Sequence, residues 1–259
     1  MRPLDHPLEN MLDNPVRAAL LGAHHRYAVG DGNALAYRPG YSAFAALPVE
    51  PTEQDWEALA RLVGAREVAV LFGPTPPPGW TSRRRFDALQ MVSRAAAVPL
   101  GPVPLGPVPG PVPLGPVPLD PGLVVLGPDD VDEVLDLVTR TEPGPFLART
   151  LELGRYLGWR ESGRLVAMAG ERMRFAGWTE VSAVCTDPAA RGRGLGGRLV
   201  RAVVAGAAAR GDGTFLHVLG ANVGAIRLYD SLGFVVRRPM SIIVVSPPAV
   251  SSPRCRRGG

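Results

Sequence analysis

The stretch CTDPAARGRGLGGRL, residues 185 to 199, places three arginines and four glycines directly after an apolar run. Leu195, Leu199 and Val203 recur at helical spacing, so we predict a helix from about Gly194 to Arg210. The glycines then lie at a helix N-terminus, where free N–H groups and the positive end of the helix dipole attract an anion. Because glycine has no Cβ, a phosphate can approach the main chain there. The stretch therefore predicts a phosphate or pyrophosphate site.

Two common phosphate loops fit this stretch poorly. The P-loop requires a lysine, and all 28 basic residues of the chain are arginines. Gly192, Gly194 and Gly197 formally match the dinucleotide motif G-x-G-x-x-G. In that fold the glycines follow the strand directly, and an acidic residue about 20 positions later holds the ribose. Here DPAAR intervenes and the next strand, TFLHVL, ends in Gly-Ala-Asn, so the dinucleotide match is weak.

A third loop fits better, because Arg191, Gly194 and Gly196 satisfy the pattern R/Q-x-x-G-x-G/A. In this respect the chain resembles the GNAT superfamily of N-acetyltransferases, whose members bind the pyrophosphate of acetyl-CoA with this pattern. VSAVCTDPAARGRGLGGRL resembles the fourth strand, loop and third helix of the family, and TFLHVLGANVGAIRLYDSLGF resembles its fifth strand and fourth helix. The resemblance covers about residues 122 to 245. It is greatest to two-domain members whose catalytic half is C-terminal, in which the N-terminal half is often a degenerate copy.

The resemblance implies an α+β fold with a mixed, mostly antiparallel sheet flanked by helices. It also implies a gap between the fourth and fifth strands, where the pantetheine arm pairs with an exposed strand edge. The residues implied to bind acetyl-CoA are Val184, Cys185, Thr186, Arg191, Gly192, Arg193, Gly194, Gly196, Gly197 and Asn222. The alternatives are a core strand for the first three residues and a helix cap for Asn222.

Direct acetyl transfer needs a neutral amine, and deprotonating an amine of pKa ~10.4 at pH 7 costs roughly 4 to 5 kcal/mol. We predict Glu180 as the general base, acting directly or through a water, with a surface carboxylate as the alternative and Glu171 as the second candidate. Tyr229 resembles the family tyrosine that protonates the departing CoA thiolate; the alternative is a core tyrosine. Cys185 and His217 are predicted to serve packing rather than catalysis.

A repeat of GPVPL divides the chain. Its prolines remove backbone donors, so this uncharged segment is predicted to be an extended spacer and not a membrane span. The 259 residues, 46% of them hydrophobic, are enough for two modest domains. We predict a smaller α/β N-terminal domain at residues 1–98, the linker at 99–121, the acetyltransferase domain at 122–246 and a disordered tail at 247–259. Helices are expected at residues 15–21 and 52–63, and a strand in EVAVLF. Three further strands, at residues 156–159, 164–169 and 179–186, are expected to form an antiparallel meander.

Composition limits the partners and the location. An excess of 28 basic over 24 acidic residues is mild and spread along the chain, so no nucleic-acid partner is predicted. Only Cys185 and Cys255 occur, and the N-terminus lacks an uninterrupted apolar core, which favours a cytoplasmic protein. His24 and His25 lack partners at ligand spacing, so no metal is expected.

The expected partner is a small-molecule or peptide amine, with a homodimer left open and no membrane contact. The rival function is a non-catalytic CoA-binding scaffold that uses the proline repeat for protein contacts.

Overall fold

A computed structural model describes residues 10–64, 68–73, 75–93 and 122–248. The predicted linker at 99–121 and all but the first two residues of the predicted tail lie outside these ranges. No helix in the described part of the chain is both long and apolar enough to cross a membrane.

The N-terminal part forms a small antiparallel sheet with two helices, α1 (Pro15–Leu21) and α2 (Glu53–Val63). The sheet is made of β1 (Ala28–Asp31), β2 (Ala34–Tyr37) and β3 (Ala45–Ala46), in that order. Helix α2 begins where predicted: Oγ1 of Thr52 accepts the amide of Asp55 at 3.3 Å, and the Asp55 carboxylate accepts the amide of Thr52 at 2.9 Å. This reciprocal cap satisfies two amides that a helix start leaves free.

The large sheet has eight strands in the order β4-β11-β5-β10-β9-β8-β7-β6. Their bounds are β4 (Ala69–Phe72), β5 (Thr81–Ser93), β6 (Leu123–Leu126), β7 (Tyr156–Glu161), β8 (Arg164–Phe175), β9 (Trp178–Thr186), β10 (Gly213–Leu219) and β11 (Phe234–Ser246). Three helices belong to this part: α3 (Val131–Thr141), α4 (Leu195–Ala208) and α5 (Val223–Ser231). Strands β6 to β9 form an antiparallel meander, which confirms the predicted meander and extends it by one strand.

Strand β5 precedes the proline repeat, yet it lies between two strands that follow the repeat. It pairs antiparallel with β10 from Val92 to Ala88 and with β11 along its whole length. The sheet is therefore continuous across the predicted linker. This strand was not predicted, because Arg83 to Arg85 interrupt its apolar pattern; all three are exposed.

The two faces of the sheet are covered by different parts of the chain. Helices α4 and α5 pack on one face through a cluster that includes Leu199, Val203 and Tyr229. On the other face, α1 and the small sheet pack against β8 and β10 through a cluster that includes Tyr37 and Phe215. The N-terminal part thus covers one face of the strands that carry the predicted site.

His24 lies on the face of the sheet that the N-terminal part covers, and the pKa of its side chain provides a test of this packing. Its side chain is buried, and Nδ1 lies 2.9 Å from the hydroxyl of Tyr37. Burial lowers the pKa of His24 to about 4, and the charge of Arg26 adds to this effect. An unfolded histidine has a pKa near 6.5. Between about pH 4 and about pH 6.5, the unfolded chain therefore binds a proton at His24 that the folded chain does not bind.

We therefore expect the free energy of unfolding to fall as the pH drops from about 6.5 to about 4, with His24 contributing up to about 3 kcal/mol. Urea unfolding at about pH 7 and about pH 4.5 measures the loss. His24→Gln keeps a hydrogen-bonding side chain but does not titrate, so its loss over the same interval is expected to be smaller. Equal losses in the two proteins would contradict this contribution.

Candidate active site

The predicted gap between two strands of the sheet is present. Strands β9 and β10 run parallel and pair at only three positions, from Gly213 with Trp178 to Phe215 with Glu180. Beyond Glu180, β9 keeps its partner β8, whereas β10 keeps its partner β5. The two strands therefore diverge, and the β10-facing edge of β9 is open along Val184, Cys185 and Thr186.

A bulge lies on this open stretch of β9. Met168 pairs with Cys185 and Gly170 pairs with Ser182, so one residue of β8 faces two residues of β9. Ala183, in the bulge, has φ 53°, a left-handed conformation that is unusual for a residue with a Cβ. Bulges of this kind change the direction of a strand and of its hydrogen-bonding groups. This bulge was not predicted, because alanine carries no turn signal.

The glycine loop lies at the end of the gap. Asp187 caps a short 3-10 helix, Pro188–Ala190, and Gly192 and Gly194 follow with φ 76° and 75°. Helix α4 then begins at Leu195, one residue later than predicted. The described part of the chain provides no hydrogen-bond acceptor for the amides of residues 194 to 197. These free amides at the start of a 14-residue helix suit an anion.

The two arginines of the loop have different partners. Nη2 and Nη1 of Arg193 donate to the two carboxylate oxygens of Glu161, at 2.6 and 2.7 Å. Nε of Arg191 donates to the carbonyl of Thr186 at 3.2 Å. Both guanidinium groups are at the surface, where ion pairs are weak and exchange readily. Their predicted contacts with CoA phosphates stay predictions.

Residues of the loop, β9 and α5 meet at Gly196. A Cβ placed on Gly196 would lie 3.7 Å from Thr186, 3.8 Å from Leu228 and 3.9 Å from Val184. These are ordinary van der Waals distances, so packing within the chain does not require glycine at this position. Gly197 also has room for a Cβ, with Leu228 at 3.5 Å.

Helix α5 carries two of the predicted residues. Oδ1 of Asn222 accepts the amide of Ala225 at 3.1 Å, so Asn222 caps the helix as its alternative role required. Tyr229 is 7% exposed and packs edge-on against Phe234, with ring centroids 6.0 Å apart. Burial raises the pKa of Tyr229 to about 12, and the neighbouring Cys185 of β9 adds to the rise. Tyr229 is thus a core tyrosine that also reaches the strand at the gap.

Glu180 lies at the point where the gap begins, and it is fully buried. Nε and Nη2 of Arg172 donate to its two carboxylate oxygens at 2.9 and 2.6 Å, and Nδ1 of His217 lies 2.8 Å from Oε1. Burial alone would raise the pKa of Glu180, but the charge of Arg172 and the hydrogen bonds from His217 and Arg172 lower it to about 2. The alternative of a surface carboxylate is therefore wrong.

Glu171, the second candidate base, lies away from the loop. Its carboxylate accepts Nη2 of Arg210 at 2.8 Å, beyond the C-terminal end of α4, whereas the glycine loop precedes the N-terminal end of that helix. Cys185 is buried, and burial raises the pKa of its thiol, in line with the predicted packing role. The side chain of His217 is only 3% exposed, in line with the predicted packing role, but its bond to Glu180 was not predicted.

Comparison with known structures assigns the family. A crystal structure of a Novosphingobium aromaticivorans protein assigned to the GNAT acetyltransferase family is 40% identical in sequence, covers 94% of this chain and 99% of that one, and gives a TM-score of 0.76. The chain belongs to the GNAT family. Residues 156–241 of this GNAT protein also match the family model of FR47-like proteins.

More distant structures support the fold. A GCN5-related N-acetyltransferase from Kribbella flavida shares 19% identity over 90% of this chain and 94% of its own, with a TM-score of 0.56. At that identity the likeness shows the GNAT fold alone. None of the curated proteins compared with the sequence is a match.

Proposed function

We propose that this GNAT protein is an acetyl-CoA-dependent N-acetyltransferase that moves an acetyl group directly to a primary amine of a small molecule or peptide. The observation that carries the proposal is the open edge of β9 leading to a glycine loop with free amides. An extended arm with an anionic end fits this arrangement, because the strand edge offers hydrogen bonds to the arm and the helix start attracts the anion.

The residues present suit acetyl-CoA, which supplies an acetyl thioester when bound. The main chain of Val184, Cys185 and Thr186 would hold the pantetheine arm, and the amides of residues 192 to 197 would hold the pyrophosphate. Arg191 and Arg193 would add charge after releasing Thr186 and Glu161. Asn222 would contact the arm while it caps α5.

Two side chains would assist transfer. Glu180 would accept a hydrogen bond from the attacking amine or from a water bound to it, after the bond from Nε of Arg172 to Oε2 is given up. A carboxylate with a pKa of about 2 is a weak base, so its negative charge contributes more than its proton affinity. Tyr229 stays protonated at neutral pH and would donate a hydrogen bond to the departing thiolate.

Two measurements test the proposed function in sequence. Thermal unfolding with saturating acetyl-CoA should show stabilisation, because a ligand that binds only the folded state raises the melting temperature. A panel of amines, assayed by release of free CoA thiol, should then show amine-dependent turnover. Lack of stabilisation would overturn the acetyl-CoA site. Stabilisation without turnover on any amine would favour a second candidate, a non-catalytic CoA-binding protein. The bonds of both Glu180 oxygens to Arg172 and His217 are also compatible with this second candidate.

Tyr229→Phe should lower kcat by roughly 100-fold, the lower end of what a general acid contributes, while the affinity for acetyl-CoA changes little. The hydroxyl of Tyr229 has no hydrogen-bond partner within the described chain, so its removal should not destabilise the fold. Thr214→Val is the control, because it removes a buried hydroxyl without a partner in the described residues while keeping the shape of the side chain. Single-turnover rates should fall in the first variant only; an unchanged rate in both would exclude Tyr229 as the acid.

A further inference from the structure

A row of hydrogen-bonded polar side chains crosses the sheet on the face covered by the N-terminal part. It runs from Arg172 on β8 through Glu180 on β9 and His217 on β10 to Gln90 on β5 and Arg237 on β11. Gln90 and Glu180 are 0% exposed. Gln90 lies 127 residues before His217 in the chain. This row therefore joins the N-terminal part to Glu180, at the point where the gap between β9 and β10 begins, which we call the apex of the gap.

The amide of Gln90 has only one orientation that its neighbours permit. Its Oε1 accepts from Nη1 of Arg237 at 2.9 Å, and a guanidinium can only donate. Its Nε2 donates to the carbonyl of Leu12 at 2.8 Å, and a carbonyl can only accept. The second hydrogen on Nε2 of Gln90 then points to Nε2 of His217, and the two nitrogens are 3.2 Å apart.

This orientation fixes the form of the imidazole. Because Gln90 presents an N–H to Nε2 of His217, that nitrogen must accept, and a proton on it would face another proton. The single ring proton is then on Nδ1, which lies 2.8 Å from Oε1 of Glu180 and donates to it. His217 is neutral in this arrangement, and Glu180 receives donors from both His217 and Arg172.

The ring of His217 has no access to an acceptor molecule. Phe72 stacks on it with centroids 4.6 Å apart, and Phe215 packs edge-on at 5.6 Å. Its side chain is 3% exposed. A role for His217 must therefore act through Glu180, which occupies the last paired position before β9 and β10 diverge.

We propose that Gln90 and His217 are positioning residues: Gln90 holds His217 as the neutral Nδ1–H tautomer, and His217 in turn fixes the carboxylate of Glu180 at the apex of the gap. This inference rests on the proposed acetyltransferase function. It makes acetyl transfer in the C-terminal part depend on a side chain that the N-terminal strand β5 supplies. A neutral donor fixes the carboxylate without adding a second positive charge beside Arg172.

The tautomer can be observed directly. In ¹⁵N-histidine-labelled protein at about pH 7, the ring of His217 should give the shifts of a neutral Nδ1–H imidazole, with the signal assigned from its loss in His217→Asn. Gln90→Met removes the amide that imposes this form, so the population of other forms should rise. A protonated ring or an Nε2–H tautomer in the wild type would overturn the proposal.

Activity gives a second readout through a matched pair. The amide nitrogen of His217→Asn can replace Nδ1 as a donor to Glu180, whereas His217→Leu cannot. We expect kcat to fall roughly 10- to 100-fold in His217→Leu, as when a group that orients an active-site residue is lost, and to recover largely in His217→Asn. KM for acetyl-CoA should stay within about twofold in both, because neither reaches the glycine loop.

The outcomes separate this inference from the proposed function. A wild-type chain that binds acetyl-CoA but acetylates no amine would overturn the function, and with it the positioning role. An active wild type whose His217→Leu and His217→Asn variants have equal kcat values, after correction for folded fraction, would overturn the positioning role alone. Both variants lose ring packing against Phe72, so a purely structural role predicts equal effects.

Discussion

Replacing Glu180 by Gln is expected to lower kcat by roughly 100- to 1,000-fold, the range found when one fixed group that stabilises charge in an active site is removed. The substitution keeps the shape of the side chain but removes the negative charge at the apex of the gap. It also leaves the guanidinium of Arg172 buried without its counter-charge, which typically costs about 3–5 kcal/mol of unfolding free energy. Steady-state kinetics and urea unfolding measure the two effects separately.

A second substitution distinguishes catalysis from stability. In Glu180→Gln combined with Arg172→Met, neither charge of the buried pair remains, so much of the lost stability should return. Nδ1 of His217 can still donate to the amide oxygen at position 180. The rate should stay low, because the carboxylate is absent. Recovery of both stability and rate in the double variant would show that Glu180 serves only to balance Arg172.

The glycine loop was predictable because its signal is local, whereas the gap was expected only from the resemblance to the GNAT family. Gly192, Gly194 and Gly196 occur within five residues, directly before a helical apolar pattern, and this spacing alone specifies a helix start that suits an anion. The ion pair of Glu180 with Arg172 was not predicted. The predicted strand ended at Ala169, whereas β8 continues to Phe175 and so brings Arg172 beside Glu180.

The environment of His217 was not predictable, because it depends on a strand from far away in the chain. Nothing in the pattern around Gln90 indicates pairing with β10. Three arginines interrupt the first half of the strand, and apolar residues begin only after these arginines. A segment whose partners are distant is determined by tertiary packing rather than by its own propensity. The left-handed Ala183 was missed for a similar reason, because its conformation is imposed by the register between β8 and β9.

Gly196→Ala is expected to weaken acetyl-CoA binding by roughly tenfold or more, which is about 1.4 kcal/mol or more, while making the ligand-free protein slightly more stable. The gain in stability, up to about 1 kcal/mol, arises because alanine loses less backbone entropy than glycine in a helix. The new methyl group meets Thr186, Leu228 and Val184 at ordinary distances, so it should not strain the fold. It would instead occupy the space through which a pyrophosphate approaches the main chain.

Gly206→Ala is the matched control, because Gly206 lies on the same helix at the end remote from the loop. A Cβ there would lie 3.6 Å from Arg155 and 3.9 Å from Arg210, so it has similar room. Both variants should gain stability, and only Gly196→Ala should lose affinity for acetyl-CoA in calorimetric titration. Equal affinities would mean that the ligand does not approach the first turn of α4. Opposite changes in stability and affinity at Gly196 would instead indicate that this glycine is suited to the ligand, since the fold alone accepts a larger residue.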